Sequence, residues 1–559
     1  MAKIHSLKVR NFKSLNNFDQ VFGAVNFICL IGRGDSGKTT IIEAIAAVLS
    51  PNWNLAFYDT DFYNGNIDEP IEIEVTLYEL PEYLIQESKY GLYVRGFDMT
   101  TNLIHDEIRD HHQVALTIRL KVEKDLEPIW HVITGRPAQE PIEIRASDRA
   151  RLNAFIVSDY IDRHFSWSKG NPLYSLLKEE GNSPENTSVI TDSLREAKKK
   201  IDAASFDHLD NVVDRIKTAS AHFGIELENT INTIDNRDIS IKDGKISLHA
   251  DKIPFRQKGK GSKRLISIAI QTELAKSGGI LLVDEIEQGL EPDRAQHLAN
   301  YLKSHYKGQV FLTTHSRDVL VELNARNIFK IVADKTKLYQ FYDNLQACVR
   351  SNPEAFFAKR IIVCEGLTEI GICRALNTYR LLNGVKSMAT LGVRLANGAG
   401  SNQIAYAKGF LEAGFDVCLF CDSDVSEIND SKPRLRDLGI VIIDCDINNS
   451  TETQIFNDLP WNGVCEIVKY QIEQIEEAVE DSVRAYYRKC YGELPSNWLI
   501  TDSPEIRVAL GETAKSKKWF KRTDHGEFLG EICCKYSSQM DSRTTVRQLS
   551  ELSNWLENA

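Results

Sequence analysis

Two sets of residues in this 559-residue sequence have the types and spacing that phosphate chemistry requires. The first set lies in the segment 32–39, GRGDSGKT, which matches the pattern G-x-x-x-x-G-K-T in full. The glycines let backbone N–H groups converge on a polyphosphate at the positive end of the following helix. Lys38 would reach the β- and γ-phosphates, and the Thr39 hydroxyl would bind Mg2+. The segment predicts a nucleoside triphosphate site formed by Gly32, Gly34, Asp35, Ser36, Gly37, Lys38, Thr39 and Thr40.

Two acidic residues close the apolar run 280–283. This run indicates a buried strand, and Asp284 and Glu285 follow it directly. Carboxylates at the end of a buried strand are costly unless a cation lies beside them. We therefore expect Asp284 to orient the shell of a bound Mg2+ and Glu285 to polarise the water that attacks the γ-phosphate.

The second set of residues consists of acids that follow strands in the second half of the chain. Glu365 comes after the apolar run 360–364, and Asp422 and Asp424 come after the run 415–421. The i, i+2 spacing places Asp422 and Asp424 on the same side of an extended chain. Hard carboxylate oxygens favour Mg2+ or Mn2+, and two such ions about 4 Å apart stabilise the attacking and leaving oxygens of phosphodiester cleavage. The acids therefore predict a divalent-metal site.

Hydrophobic patterns predict the elements that hold these residues. The run 27–31 indicates a buried strand before the phosphate loop, and apolar residues recur at helical spacing in 41–46. Alternation of apolar and polar residues in 4–9 indicates a half-buried strand. Further strand-like runs, which suggest an antiparallel subsheet, are 71–77, 114–122 and 129–132.

The N-terminal pattern I-x-x-L-x-V-x-N-F-K-S, followed by a strand and the phosphate loop, resembles the ATPase heads of the RecF and SMC-like ABC class. Those heads usually have Asn where Gly34 stands here, so the loop departs from the pattern at that position. The resemblance implies that 258–262, KGKGS, is a degenerate signature loop in which Gly261 and Ser262 contact the nucleotide of a second subunit. It also implies that His315 is the switch histidine at the γ-phosphate. A homodimer follows, because a single chain has one copy of each motif.

The acids of the second half lie in the motifs VCEGLTE and DSD, which resemble those of the Toprim domain. Glu365, Asp422 and Asp424 match the metal-binding acids of that domain, and Glu369 matches a further acid used in its nuclease branch. The segment 398–400, GAG, resembles its glycine turn.

An ABC-type head followed by a Toprim domain, across nearly the whole chain, resembles the overcoming-lysogenisation-defect (OLD) family. Its members are ATPase-linked, metal-dependent DNA endonucleases, several of which act in prokaryotic antiphage defence. The resemblance implies ATP and Mg2+ or Mn2+ as cofactors, DNA as substrate and Glu452 as a late metal-binding acid. It implies a catalytic lysine in AKSKKWFKR, with Lys521 preferred over Lys518 and Lys517. OLD relatives are encoded with partners such as a helicase, or the reverse transcriptase and DNA of a retron.

The expected fold class is α/β. An ABC/SMC-like P-loop ATPase domain with a helical insertion precedes a Rossmann-like Toprim domain with a helical insert. We expect residues 1–158 and 236–345 to form the two parts of the ATPase domain, and 159–235 to form the helical insertion, a candidate for dimerisation. Residues 356–559 are expected to form the Toprim domain, in which the helical run 464–488 is assigned no chemistry.

Composition and charge limit the class of protein. The net charge of −12 argues against a surface that coats nucleic acid, although local basic patches remain available. No run approaches 18 apolar residues, so we expect a cytoplasmic protein without a membrane span. Cys418 and Cys421 form a C-x-x-C pair inside an apolar run, and we interpret them as core residues rather than a redox or metal site.

Other functions fit parts of this pattern. The first alternative is a RecF- or SMC-like DNA-repair ATPase whose C-terminal domain binds nucleic acid without cutting it, although the three aligned acids argue against a passive domain. Two other Toprim enzymes fit less well. A primase would bring a zinc-binding cysteine cluster, which is absent from this sequence. A topoisomerase would need a separate tyrosine-bearing domain, and the expected ATPase head fills that part of the chain. A further alternative is an effector held silent by a partner, which these residues do not identify.

The motifs predict separate roles for Lys38 and Glu285. Lys38→Ala should abolish ATP binding or turnover, because the γ-phosphate loses its cation. Glu285→Gln should keep ATP binding and slow hydrolysis by about a hundredfold or more, because the attacking water loses its base. Nucleotide binding and phosphate release measure the two steps separately. Turnover by Glu285→Gln at the wild-type rate would contradict the role given to this residue.

Overall fold

The computed structural model describes residues 2–157, 162–165, 172–173, 248–250, 253–274, 278–332, 334–474 and 479–558, and the single residues 192, 196, 199 and 200. These residues belong to two compact units. The first unit takes its residues from Met1–Ile156, Gly278–Glu287 and Glu291–Ala559, and the second from Val157–Ser277 and Gln288–Leu290. Most of the predicted helical insertion, 159–235, lies outside the described residues. The domain boundaries derived from the sequence therefore stay predictions.

A six-stranded sheet holds the phosphate loop. Its strand order is β10-β13-β14-β3-β15-β16, in which β13, β14, β3 and β15 are parallel neighbours. The strands are β3 (Phe27–Ile31), β10 (Ala154–Val157), β13 (Ile280–Val283), β14 (Gln309–Thr313), β15 (Ile328–Ile331) and β16 (Leu338–Gln340). Every residue of β3, β13 and β14 is buried, as their continuous apolar runs predict for central parallel strands. These parallel neighbours agree with the α/β fold class expected from the sequence.

An antiparallel sheet lies in the same compact unit, as the strand-like runs of the first half predict. Its main path is β2-β1-β4-β7-β5-β6, and β8 and β9 extend it from β7. The strands are β1 (Lys3–Phe12), β2 (Leu15–Val21), β4 (Ile71–Tyr78), β5 (Arg95–Asp98), β6 (Leu103–His105), β7 (Gln113–Val122), β8 (Pro128–Ile133) and β9 (Ile142–Glu143). A short pair, β11 (His249–Ala250) and β12 (Ile253–Pro254), belongs to the second unit.

A four-stranded, wholly parallel sheet carries the acids of the second half. Its order is β18-β17-β19-β20, so that the two strands that precede the acids, β17 and β19, are neighbours. The strands are β17 (Arg360–Cys364), β18 (Val393–Asn397), β19 (Asp416–Cys421) and β20 (Val441–Asp444). Cys418 and Cys421 are buried on β19, where burial raises the pKa of both thiols, as expected for core residues.

Helices carry several of the candidate site residues. They are α1 (Lys38–Val48), α2 (Ala146–Arg149), α3 (Lys260–Leu274), α4 (Pro292–His305), α5 (Arg317–Leu320), α6 (Gln346–Ser351), α7 (Leu367–Leu382), α8 (Gln403–Glu412), α9 (Ser426–Asp437), α10 (Thr451–Asp458), α11 (Trp461–Gln474), α12 (Val479–Cys490), α13 (Pro504–Ser516), α14 (Thr523–Lys535) and α15 (Thr544–Glu557). Ser450 and Ser503 cap α10 and α13 by accepting backbone N–H bonds. Among the described residues, no helix is both long and apolar enough to cross a membrane.

Helices α7 and α14 approach closely because glycines line their contact. A methyl group on Gly371 of α7 would overlap the backbone of Gly526 in α14. A methyl group on Gly526 would lie 2.8 Å from the carbonyl oxygen of Thr368, and one on Gly530 would lie 2.7 Å from Cβ of Ala375. The packing of these two helices therefore fixes the position of the chain just before α14.

This contact predicts a loss of stability on Gly371→Ala. Alanine is the better helix former by about 1 kcal/mol, but the new methyl group forces the two backbones apart. We expect a net loss of about 1–2 kcal/mol in the free energy of unfolding, measured by denaturant titration. Thr378→Ala, at an exposed position of the same helix, is the matched control and should change stability by less than about 0.5 kcal/mol. Equal stability of the two variants would contradict the close contact.

Candidate functional site

The phosphate loop is stabilised by the lysine at its end. Nζ of Lys38 donates hydrogen bonds to the carbonyl oxygens of Gly32 at 3.0 Å and Arg33 at 2.8 Å. Burial lowers the pKa of Lys38, and the nearby carboxylates, led by Asp284, oppose this effect. Gly37 precedes α1 with a φ of 102°, a conformation that favours glycine. The loop thus aims the N-terminus of α1 and an ammonium group at one place, as polyphosphate binding requires.

Thr39 and Asp284, the two predicted Mg2+ ligands of the nucleotide site, lie together. The Thr39 hydroxyl donates to Oδ1 of Asp284 at 3.3 Å, and the Thr313 hydroxyl donates to the same oxygen at 2.7 Å. The backbone N–H of Glu285 donates to the Thr313 hydroxyl at 2.6 Å. Glu285 has a φ of 47°, a strained conformation for a residue with a side chain. A threonine hydroxyl beside a carboxylate is a donor set that fits Mg2+.

His315 lies near the same acids, and Glu287 holds its backbone. Glu287 accepts hydrogen bonds from the backbone N–H of His315 at 2.5 Å and from the Thr314 hydroxyl at 2.7 Å. Burial lowers the pKa of His315, and Lys38 lowers it further. His315 and Lys38 are therefore close enough to interact electrostatically. The sequence analysis missed Glu287, although its i+2 position after Glu285 was a usable signal.

The predicted signature loop lies in the second compact unit. Lys258 and Gly259 are not helical, whereas Gly261 and Ser262 lie in the first turn of α3. A methyl group on Gly261 would overlap the carbonyl oxygen of Gly289, so this position requires glycine. The contact of Gly261 and Ser262 with a neighbouring subunit's nucleotide stays a prediction.

Glu365, Asp422 and Asp424 converge at the carboxyl edge of the parallel sheet. Oε2 of Glu365 accepts the backbone N–H of Asp422 at 3.1 Å. Burial, and then the carboxylates of Glu365 and Asp424, raise the pKa of Asp422 to about 9. Burial also acts to raise the pKa of Asp424, but hydrogen bonds from Lys515 and Asp422 hold it below its ordinary value. Such mutual repulsion among acids is what a bound divalent cation would relieve.

Two more acids are buried on the helices beside this edge. Glu369 of α7 and Glu452 of α10 are each 1% exposed. Oε1 of Glu369 accepts from the Thr451 hydroxyl at 2.7 Å, and Oε1 of Glu452 accepts from the Thr368 hydroxyl at 3.3 Å. Burial and the nearby Glu452 raise the pKa of Glu369 to about 7, against the lowering effect of Lys521. All five predicted metal-binding acids of the second half thus belong to one cluster.

Two lysines approach this cluster, Lys515 from the last turn of α13 and Lys521 from the loop between α13 and α14. Nζ of Lys521 lies 3.6 Å from Oε1 of Glu452, and Nζ of Lys515 lies 2.6 Å from Oδ2 of Asp424. The side chains of Lys517 and Lys518 are exposed. Of the three lysines considered from the sequence, Lys521 is therefore the one with an ion pair to these acids. Lys515 was missed, because a lysine in the last turn of a helix is ordinary at the sequence level.

A buried lysine supports the turn that carries Asp422. Lys432 of α9 is 3% exposed. Its Nζ donates to the carbonyl oxygen of Asp422 at 2.8 Å and to the Ser423 hydroxyl at 2.8 Å, and it lies 3.1 Å from Oδ2 of Asp444. The backbone of the turn between Asp422 and Asp424 is thus held by a charge-assisted contact. No sequence motif marked Lys432, which lies in a polar helix.

The residues between the two sites connect them by direct contacts. The His315 ring packs on the Phe357 ring at 6.4 Å between centroids. Arg317 forms an ion pair of 2.8 Å with Glu354, three residues before Phe357. In the phosphate loop, Nη1 of Arg33 lies where a side chain on Gly392 would be, and Gly392 directly precedes β18. The nucleotide site therefore touches the segment that leads into β17 and the start of β18.

Asn352 continues this connection to the acid-bearing edge. Its side chain makes two hydrogen bonds with the backbone of Asn397, the last residue of β18, at 2.7 and 3.0 Å. Beyond Asn397, the N–H of Gly400 donates to the carbonyl oxygen of Glu365 at 2.9 Å. The predicted glycine turn, 398–400, thus contacts the backbone of the first predicted metal ligand.

Comparisons with known proteins match the ATPase part. A family model described as "AAA domain, putative AbiEii toxin, Type IV TA system" matches residues 27–322, more than half of the chain. No curated protein matches the chain.

Solved structures that match the chain include Smc head domains and a RecF protein, all at low sequence identity. An Smc head domain with an extended coiled coil, bound to the C-terminal domain of ScpA derived from Pyrococcus furiosus, is 15% identical with a TM-score of 0.32, covering 61% of this chain and 96% of that one. The recombination mediator protein RecF of the RecFOR pathway is 14% identical with a TM-score of 0.32, covering 61% and 98%. The SMC head domain from Thermotoga maritima is 14% identical with a TM-score of 0.29, covering 61% and 99%.

The buried contacts of Lys432 predict a large effect of Lys432→Met. The substitution keeps most of the side-chain volume but leaves the Asp422 carbonyl and the Ser423 hydroxyl without the Lys432 ammonium group, and leaves the Asp444 carboxylate with Arg436 alone. We expect the free energy of unfolding to fall by about 2–4 kcal/mol, measured by denaturant titration. Lys469→Met, at an exposed position of α11, is the control and should be nearly neutral. A neutral Lys432→Met would contradict the support role.

Proposed function

The chain belongs to the family of AAA domains whose model matches residues 27–322, and we propose that it is an ATP-binding and ATP-hydrolysing, divalent-metal-dependent DNA endonuclease. The family provides the ATPase part. The nuclease part of the proposal rests on the acids that follow the family match along the chain.

The observation that carries the nuclease proposal is the acid cluster at the end of β17 and β19. Five carboxylates and two lysines meet there, and the pKa of Asp422 is raised to about 9 by burial and its acidic neighbours. A fold does not gain stability from burying carboxylates against one another, so the arrangement favours a role in binding cations. Open parallel sheets bind their ligands at this edge.

In this proposal Glu365, Asp422 and Asp424 would hold Mg2+ or Mn2+, and Glu369 and Glu452 would complete the set of acids. Bound divalent ions supply Lewis-acid stabilisation of the attacking and leaving oxygens of a phosphodiester. The chain's own contribution is to keep the carboxylates on one rigid edge, through the Glu365 contact with the Asp422 backbone. These contacts are compatible with a Toprim domain of the OLD type, which remains part of the proposal.

The lysines have separate roles in this proposal. The Lys521 ammonium group lies on the side of Glu452 and would stabilise negative charge that builds on the scissile phosphate. The Lys515 ammonium group, 2.6 Å from Asp424, keeps that carboxylate ionised and oriented. Two contacts hold the backbone near Lys521. One is the glycine contact between α7 and α14. The other is the hydrogen bond that the Thr368 hydroxyl donates to the carbonyl oxygen of Phe520 at 3.0 Å.

We propose that ATP is bound by the phosphate loop and hydrolysed with Glu285 as base and His315 at the γ-phosphate. Gly261 and Ser262 of a second copy would complete the nucleotide site, which makes the active form a homodimer. The contacts of His315 with Phe357, and of Arg33 with the segment before β18, give the nucleotide a route to the acid cluster. Hydrolysis at the first site would then bias DNA cleavage at the second.

A second candidate function is a DNA-repair type of ATPase whose C-terminal region binds nucleic acid without cutting it. One observation favours it: Lys515 and Lys521 already supply positive charge to Asp424 and Glu452. Lysine contacts of this kind offset part of the repulsion among the acids without a metal. Cleavage assays separate the two candidates.

The family description names a toxin of a toxin–antitoxin system. We extend the proposal to a cytoplasmic prokaryotic defence effector that acts with, or is gated by, a partner. A helicase, or a retron reverse transcriptase with its DNA, is the kind of partner the OLD resemblance implies.

The test is cleavage of supercoiled plasmid by the purified chain with Mg2+ or Mn2+, with and without ATP. Glu365→Ala and Asp422→Ala should each lower the cleavage rate by about two to three orders of magnitude, because each loses a ligand of the cation that stabilises the phosphate. Asp437→Ala, an exposed acid of the same domain, is the matched control and should cut normally.

ATP binding by each variant serves as the measure of correct folding. Normal cutting by a variant that lacks both Asp422 and Asp424 would overturn the site. A wild-type chain that binds DNA and hydrolyses ATP but never cuts, with any metal tested, would favour the repair-type ATPase.

A further inference from the structure

A second group of metal-ligating side chains lies in the antiparallel sheet of the ATPase part, in none of the sites described above. Asp98 ends β5, His105 ends β6, and His112 immediately precedes β7. Strand β5 pairs with both β6 and β7, so these three chain positions meet at one end of the sheet. The three residues therefore come from separate segments of the chain that strand pairing brings together.

The side chains are close enough to share one ion. A ligand atom from each of Asp98, His105 and His112 lies within 4.8 Å of the other two. The rings of His105 and His112 stack with 5.0 Å between centroids and 17° between planes. A methyl group on Gly96 would overlap Nδ1 of His112, so the glycine of β5 makes room for this ring.

We propose that Asp98, His105 and His112 bind a Zn2+ ion that fastens the β5–β6 hairpin to the start of β7. Two imidazole nitrogens and one carboxylate oxygen form a donor set that Zn2+ prefers and that Mg2+ does not. A fourth position is open to water, and the exposed His111 lies outside this group of three ligands.

The hairpin has a structural need for such a link. Strands β5 and β6 have four and three residues, and β6 pairs with β5 at the end of the main path of the sheet. Short edge hairpins are marginally stable without further support. The ion pair of Arg95 with Asp106, at 2.7 Å, joins the first residue of β5 to the residue after β6. The Zn2+ ion would join the ends of β5 and β6 to the residue before β7.

The test uses the full chain, treated with a chelator and then kept in excess Mg2+, so that the oxygen-rich acid sites are occupied. Zn2+ affinity is measured by competition with a chromophoric chelator, and Co2+ is used as a spectroscopic substitute. His105→Ala and His112→Ala should lower Zn2+ affinity by about tenfold or more and remove the visible Co2+ absorption of a histidine-bound ion. His111→Ala is the matched control and should keep Zn2+ binding within a few fold of the wild type.

Thermal unfolding gives a second measurement. Zn2+ should raise the unfolding midpoint of the wild type and of His111→Ala, and leave that of His105→Ala unchanged. The proposal is overturned if the wild type binds no Zn2+ under these conditions. It is also overturned if His105→Ala and His112→Ala bind Zn2+ as the wild type does, which would assign the ion to the acid cluster.

Discussion

Repulsion between carboxylates that converge at the ends of parallel strands is the constraint on which both candidate sites depend. Parallel strands deliver Asp284 and Glu285 to one edge, and Glu365, Asp422 and Asp424 to another. In each case a lysine lies among the acids: Lys38 in the first site, and Lys515 in the second. Much of the surrounding structure, from the buried Lys432 to the glycine contact of two helices, holds these opposed charges at fixed distances.

The same charges make it important that the segment between the sites is held in place by hydrogen bonds. A cluster of like charges is sensitive to small displacements, since Coulomb energy changes steeply at short distance and low dielectric. Asn352 makes two hydrogen bonds to the end of β18, and the turn that follows is bonded to the Glu365 backbone. These hydrogen bonds tie the segment that follows His315 to the backbone beside the acids.

Local sequence patterns predicted the features that depend on residues close together along the chain. The phosphate loop, the strand-end acids and the parallel strands that carry them lie where hydrophobic runs and motif spacing indicated, and the ATPase identification is confirmed by the family match. Lys432 and Lys515 were missed because their roles come from packing between helices far apart along the chain. Asp98, His105 and His112 were missed for a similar reason: strand pairing brings them together, and their spacing matches no metal motif. The OLD and Toprim identifications stay predictions.

The position of Gly392 limits how such a chain can evolve. It lies beside Arg33, a variable position of the phosphate-loop pattern more than 350 residues earlier. A side chain at 392 would displace the guanidinium group of the exposed Arg33, which can move. Gly392 also has a φ of 71°, which disfavours other residues. Replacement of this glycine is therefore limited mainly by its own backbone conformation.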